Sequence, residues 1–156
     1  MPKVWTAEKL VLSSHMVEPI WLATARKELG VVTFPEGQSN PRITEYHSTT
    51  SIAGYDDKAA WCSSFLNWVF AQHGINGTGS ALARSWLEWG MALDAPKLGC
   101  VVVLEREDPS GWKGHVGLFL RMDGDQVVLL GGNQLDEVRE HNYPLSSVLA
   151  YRTAVC

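Results

Sequence analysis

The chain has 156 residues, 46% of them apolar and 19% charged, and a net charge near −4. That length makes one domain able to bury roughly two-thirds of its unfolded surface. With no local cluster of Lys and Arg, the charge balance offers no electrostatic footprint for nucleic acid or an anionic membrane. No apolar run reaches the length of a membrane span, so membrane insertion is not expected. Three cysteines (Cys62, Cys100, Cys156) are an odd number without metal-type spacing. They make neither a disulfide framework nor a zinc ribbon, and even a Cys100–Cys156 pair leaves Cys62 free.

Met1–Glu8 lacks the apolar core of a signal peptide, which predicts synthesis in the cytoplasm and delivery by other means. Ser13-Ser14-His15-Met16 looks like an expression-vector junction, which would make part of residues 1–16 non-native. Residues 1–17 are read as an N-terminal arm and residues 18–156 as a single domain. Pro19 followed by Ile20, Leu22, Ala23, Ala25 and Leu29 predicts a helix with Pro in its first turn and Gly30 as its stop. Residues 30–57 are rich in Gly, Pro, Ser, Asn and Thr; so long an irregular stretch is often functional. A short helical turn is expected around Pro41–Tyr46. A second helix runs over Ala60–His73, with Trp61, Phe65, Trp68 and Val69 forming one apolar stripe. A third covers Ser80–Trp89, with Ser80 as its cap and Gly90 as its stop.

Then the period changes. Cys100–Leu104 is a short β-branched run. His115–Met122 and Gln126–Leu130 flank the turn Asp123-Gly124-Asp125 as a hairpin. Two further strands are expected over Glu137–His141 and Val148–Arg152. Helices first and an antiparallel meander second predict an α+β domain.

Cys62 opens the second helix, where unpaired N–H groups and the positive dipole end favour a thiolate. Gly114 and Gly117 flank His115 and leave room beside its ring. Asn133 follows the next strand, where hairpin pairing brings it beside His115 and its amide can hold the imidazole tautomer that accepts a thiol proton. A Cys before a helix, then a His and an Asn on successive strands, is the order of parts in a papain-like thiol hydrolase. Backbone N–H groups at the helix start are natural oxyanion donors. Tyr46, Tyr55 and Gln134 are side-chain candidates for the same task, and Trp61 and Trp112 for stacking against a ligand. His15, His47, His73 and His141 show no metal-ligand spacing. No serine lies in a GxSxG elbow, and no phosphate-binding loop is present.

At these residues the chain resembles the CHAP and NlpC/P60 group of cysteine peptidoglycan hydrolases, most narrowly a small CHAP-like family of phage and bacterial genomes. The resemblance runs from Pro19 to Arg152. It rests on Pro19-Ile20-Trp21, Glu28-Leu29-Gly30-Val31, Asn40-Pro41-Arg42-Ile43 with Tyr46, Trp61-Cys62-Ser63-Ser64-Phe65-Leu66-Asn67-Trp68, Ala83-Arg84-Ser85-Trp86-Leu87, Gly114-His115-Val116-Gly117 and Leu130-Gly131-Gly132-Asn133-Gln134.

It implies a papain-like fold, N-terminal helices packed on a C-terminal antiparallel sheet. Cys62 would be the nucleophile, His115 the base and Asn133 the orienting residue, with no metal or organic cofactor. The implied substrate is peptidoglycan, cut at an amide by an N-acetylmuramoyl-L-alanine amidase or a stem or crossbridge endopeptidase through a thioester. The implied setting is a phage lysin or a secreted antibacterial effector acting in the periplasm or cell wall, the effector with an immunity protein as partner. Two departures stand out: many CHAP domains carry an acid where this chain has Gly131, and NlpC/P60 enzymes often use a second His where it has Asn133. The rival expectations are a non-catalytic wall-binding module on the same fold and a thiol peptidase or transglutaminase acting on proteins.

Overall fold

The computed structural model describes residues 17–155; the junction-like Ser13–Met16 and Cys156 lie outside the described residues. Helix α1 is Ile20–Arg26 with Pro19 at its N-cap, and the chain leaves it through a turn to Gly30. Gly30 has a φ of 96°, a left-handed conformation that glycine adopts without steric cost. Helix α2 is Pro41–His47, a full element rather than a single turn, because the Asn40 side chain caps it by accepting from the Arg42 N–H at 3.0 Å. Helix α3 is Cys62–Ala71 and begins at the cysteine itself.

The helix expected over Ser80–Trp89 is instead a 3₁₀ segment over Ala83–Glu88. The Ser80 carbonyl accepts from Ser63 Oγ at 2.6 Å and from Asn67 Nδ2 at 3.2 Å, so it is not free to start an α-helix. Trp86 is then seated between Phe70 and Trp89, with ring centroids 5.7 and 4.8 Å away.

Six strands follow: β1 Met91–Leu93, β2 Val101–Glu105, β3 Gly114–Asp123, β4 Gln126–Gly131, β5 Arg139–Pro144 and β6 Val148–Thr153. They form one antiparallel sheet in the order β1-β6-β2-β3-β4-β5. β1 was not expected from sequence, since three residues are too few to display alternation. A bulge between Phe119 and Arg121 shifts the β3–β4 register by one residue.

Alternation sorts the sheet into two faces. Val101, Val103, Val116, Leu118, Leu120, Val128 and Leu130 pack against the helices, where Leu22, Ile43, Tyr46, Trp61, Phe65 and Leu66 complete the main core. Burying one such side chain, Phe65 for example, stabilises the fold by about 1.5–3 kcal/mol. The opposite face carries a smaller cluster of Val102, Leu104, Phe119, Val127 and Leu129, flanked by Tyr143. Strand parity places His115 and Gly117 on that second face, at the end of β3 nearest the start of α3.

Candidate active site

Cys62 is brought to the sheet by Gly132. A Cβ at Gly132 would lie 2.7 Å from Phe65 Cβ and 2.8 Å from the Trp61 ring, so only glycine lets the end of β4 close on α3. Trp61, at the N-cap, offers no side-chain cap to α3, and its indole N–H donates instead to Thr33 Oγ1 at 3.0 Å. The first-turn N–H groups are thereby left for other acceptors. Cys62 is 7% exposed, and it opens into a cavity of about 230 Å³ shared with Arg106, Trp112, His115 and Asn133.

Burial pushes the Cys62 thiol up, against the pull of the Val116, Ser63 and Cys62 N–H groups and of the Arg106 cation. The expectation of a thiolate set by the helix terminus is corrected here: desolvation outweighs the dipole, and the resting group is a thiol.

His115 is held through Nε2. Gln134 Oε1 lies 2.9 Å from it and the Tyr143 hydroxyl 3.1 Å. The orientation of the Gln134 amide follows from its other end. Its NH₂ donates to Leu129 O at 3.1 Å and to Arg139 O at 2.6 Å, both of which can only accept. Oε1 therefore faces the ring as an acceptor, Nε2 carries the proton, and Nδ1 keeps its lone pair. Tyr143 also covers the ring, with centroids 5.1 Å apart. Burial pushes His115 down to about 4, with Gln134 pulling upward and Arg106 adding to the depression. Thiol and imidazole are thus both neutral at rest.

Gly131 makes room for this arrangement. A Cβ there would sit 2.7 Å from Gln134 Oε1 and 3.4 Å from Gly117 Cα, and one at Gly117 would lie 3.4 Å from the same Oε1. Two glycines facing each other across β3 and β4 open a slot in the side-chain layer, and the Gln134 amide fills it. Gly131 is therefore the vacancy that a neighbouring side chain occupies.

The amide bonded to His115 is that of Gln134, whereas the expectation from sequence placed Asn133 there. Among the described residues His115 bonds to Gln134 and Tyr143, not to Asn133. Asn133 adopts a left-handed φ of 56° and lines the cavity beside Cys62. Gln134 is spent on His115 and two carbonyls, which removes it from the oxyanion candidates. Tyr46 is also removed: it is fully buried and donates to Glu28 Oε1 at 2.7 Å. Trp61 is fully buried core and no stacking wall. Tyr55 is 57% exposed and does not line the cavity of Cys62.

Trp112 does line it and is 69% exposed. Arg84 fixes the loop that carries Trp112, donating to Lys113 O at 2.7 Å, Pro109 O at 2.8 Å and Asp108 O. Tyr143 is a contact that sequence reasoning missed; its only signal was an aromatic in a weakly patterned strand. His47 bonds Ser64 Oγ through Nδ1 at 2.7 Å, but both residues are fully buried and offer a substrate no approach.

The CHAP domain family model matches residues 54–133, which takes in Cys62, His115 and Asn133 and stops one residue short of Gln134. Among solved structures, the fold is similar to an NLP/P60 family, lipoprotein-like protein from Staphylococcus aureus subsp. aureus Mu50. Identity there is 16% and the TM-score 0.53, over 99% of this chain and 44% of that one. It is also similar to an NlpC/P60 family protein from Bacillus cereus ATCC 10987, with 17% identity and a TM-score of 0.51 over 88% of this chain and 41% of that one. The chain thus spans less than half the length of either. No curated protein matches it. The α+β arrangement read from the sequence, helices packed on an antiparallel sheet in the papain-like manner, is the fold these likenesses share.

Proposed function

The chain belongs to the CHAP domain family, and from that premise we propose that it is a cysteine hydrolase cleaving an amide bond in the peptide part of peptidoglycan. The observation that carries the chemistry is the tautomer lock on His115. With Nε2–H donated to Gln134, the Nδ1 lone pair is the one available to a proton on Cys62, and both residues line one cavity. Nδ1 takes the thiol proton as Sγ attacks the amide carbonyl. The oxyanion that forms faces the uncapped first turn of α3, with the Asn133 amide at the same cavity wall. The imidazolium keeps its Nε2–H on Gln134 and gives the Nδ1 proton to the leaving amine. Water, deprotonated at Nδ1, then opens the thioester. The peptidoglycan assignment is supported by the sequence resemblance and by family membership.

The test is mass spectrometry of soluble fragments released from purified peptidoglycan by the wild type beside Cys62→Ala. Release by the wild type alone is expected, and the fragment masses separate a sugar–peptide amidase from a stem or crossbridge endopeptidase. No release by a folded wild type overturns the reading.

The pH profile is a second expected result. The base must be neutral in the free enzyme, so kcat/KM should fall on the acid side with an apparent pKa near 4 rather than near the ordinary 6.5. The same depression affects folding. Below pH 6.5 the unfolded chain binds a proton that the folded one refuses, so stability contributed by the buried neutral ring is lost as pH falls from about 6.5 towards 4. An acid limb centred at 6 or above, measured on a soluble fragment, would contradict the depressed value.

A further inference from the structure

A second cavity of about 330 Å³ adjoins the first on the far side of His115 and is lined by Glu105, His141 and Tyr143 among others. Three residues belong to both cavities: Arg106, His115 and Asn133. A peptide lying across the site must therefore pass Arg106. This residue follows the end of β2 and is exposed. Among the described residues its guanidinium forms no ion pair and no side-chain hydrogen bond, whereas the cations around it are committed. Lys113 pairs with Glu107 at 3.2 Å, Arg84 is spent on three loop carbonyls, and Arg139 Nε donates to Glu140 O at 3.2 Å. A cation left unpaired at the crossing of two cavities, in a chain of net negative charge, is available to an anionic group of a bound peptide.

The two sides differ in sign. On the Cys62 side Arg106 stands beside Lys113, whose charge Glu107 already pairs, while the far side sets Glu105 against Arg106. An anionic group is therefore favoured on the Cys62 side. We propose that Arg106 is a specificity-determining residue that binds a free carboxylate of the peptide substrate in the Cys62-side cavity. This rests on the hydrolase reading above and adds which stem peptides are preferred.

The charge also reaches the reacting groups. Arg106 works against protonation of His115, so a carboxylate seated on it removes part of that opposition and makes Nδ1 a better base. A substrate bearing the carboxylate thus favours proton uptake by His115, while its amidated counterpart leaves the full opposition in place.

The experiment uses two synthetic muropeptides, identical except that the free carboxylates of one are carboxamides in the other. Wild type, Arg106→Gln and Arg106→Lys are compared on both. The expected result is a wild-type kcat/KM about tenfold or more higher for the acid. Arg106→Gln should lower the acid value by at least that factor and abolish the preference for acid over amide, with Arg106→Lys retaining part of it. In the wild type, the acid limb of kcat should lie at higher pH for the acid than for the amide. Equal wild-type rates on both, or an equal loss on both in Arg106→Gln, overturns the proposal.

If the folded wild type cleaves neither peptide, the hydrolase reading is what has failed. Arg106 is then tested alone by NMR titration with N-acetyl-D-alanine and its amide. A shift of the Arg106 Nε–H with the acid only, absent in Arg106→Gln, supports carboxylate binding; no shift with either overturns it.

Discussion

Cys62→Ala is expected to leave the protein folded and to remove turnover, a loss of about 10⁴-fold or more. Both halves of this expectation have a physical basis. Cys62 is 7% exposed and faces a cavity, so replacing its thiol by a hydrogen deletes one atom from a wall that already borders open space. The cost to stability should be about 1 kcal/mol or less, since little packing is lost. Chemistry is different, because no neighbour can substitute. Ser63 Oγ is spent on Ser80 O at 2.6 Å and accepts from the Trp86 indole at 2.8 Å, and Ser64 is held by His47. Cys100 is buried on the opposite face of the sheet, and burial pushes its thiol up to about 11. Thermal unfolding by circular dichroism should match the wild type within a few degrees while fragment release disappears. Retained release by Cys62→Ala would move the nucleophile elsewhere.

The second large effect is expected from the smallest possible change, Gly131→Ala. The backbone at Gly131 is not in the left-handed region, so alanine meets no conformational penalty there. Its Cβ would, however, lie 2.7 Å from Gln134 Oε1. Gln134 cannot yield while it keeps its bonds to Leu129 O and Arg139 O, so the amide must turn away from His115. Loss of Gln134 leaves Nε2 only the Tyr143 hydroxyl, which can donate to it, and frees the ring to take the other tautomer, in which Nδ1 holds the proton it should accept. A fall in kcat/KM of roughly two to three orders of magnitude is expected. The overpacked slot should cost about 1–3 kcal/mol of stability. The nitrogen-15 chemical shifts of the His115 ring report the tautomer directly and separate this effect from general destabilisation. In a Gln134→Ala background the same substitution should change activity little, because the clash is gone. Equal losses in both backgrounds would disconnect Gly131 from Gln134.

What the sequence could convey follows the range over which each signal acts. The hairpin around Gly124, the stripe of Trp61, Phe65, Trp68 and Val69, and the switch from helical to strand period are local patterns, and each element is found within a residue or two of its expected place. Ser80 misled because its carbonyl is claimed by Ser63 and Asn67, partners 17 and 13 residues away. Cys62, His115 and Asn133, singled out in the sequence, line one cavity, but the amide that meets His115 is the neighbouring Gln134. The cause lies past the end of β4: the strand stops at Gly131 and Asn133 takes a left-handed φ of 56°, so neither alternation nor pairing register says which of the next two amides meets His115.

Both partners of the His115 Nε2 depend on β5, an outer strand of the sheet. Tyr143 belongs to it, and Arg139 O, at its first residue, holds the Gln134 amide. Outer strands are the first to fray on warming, because one side of their hydrogen-bonding edge is unpaired. Detachment of β5 alone, with the other five strands in place, unclamps the imidazole before the core has begun to melt. Catalysis should therefore switch off several degrees below the global unfolding midpoint and return on cooling, making β5 the element to staple if a heat-tolerant enzyme is wanted.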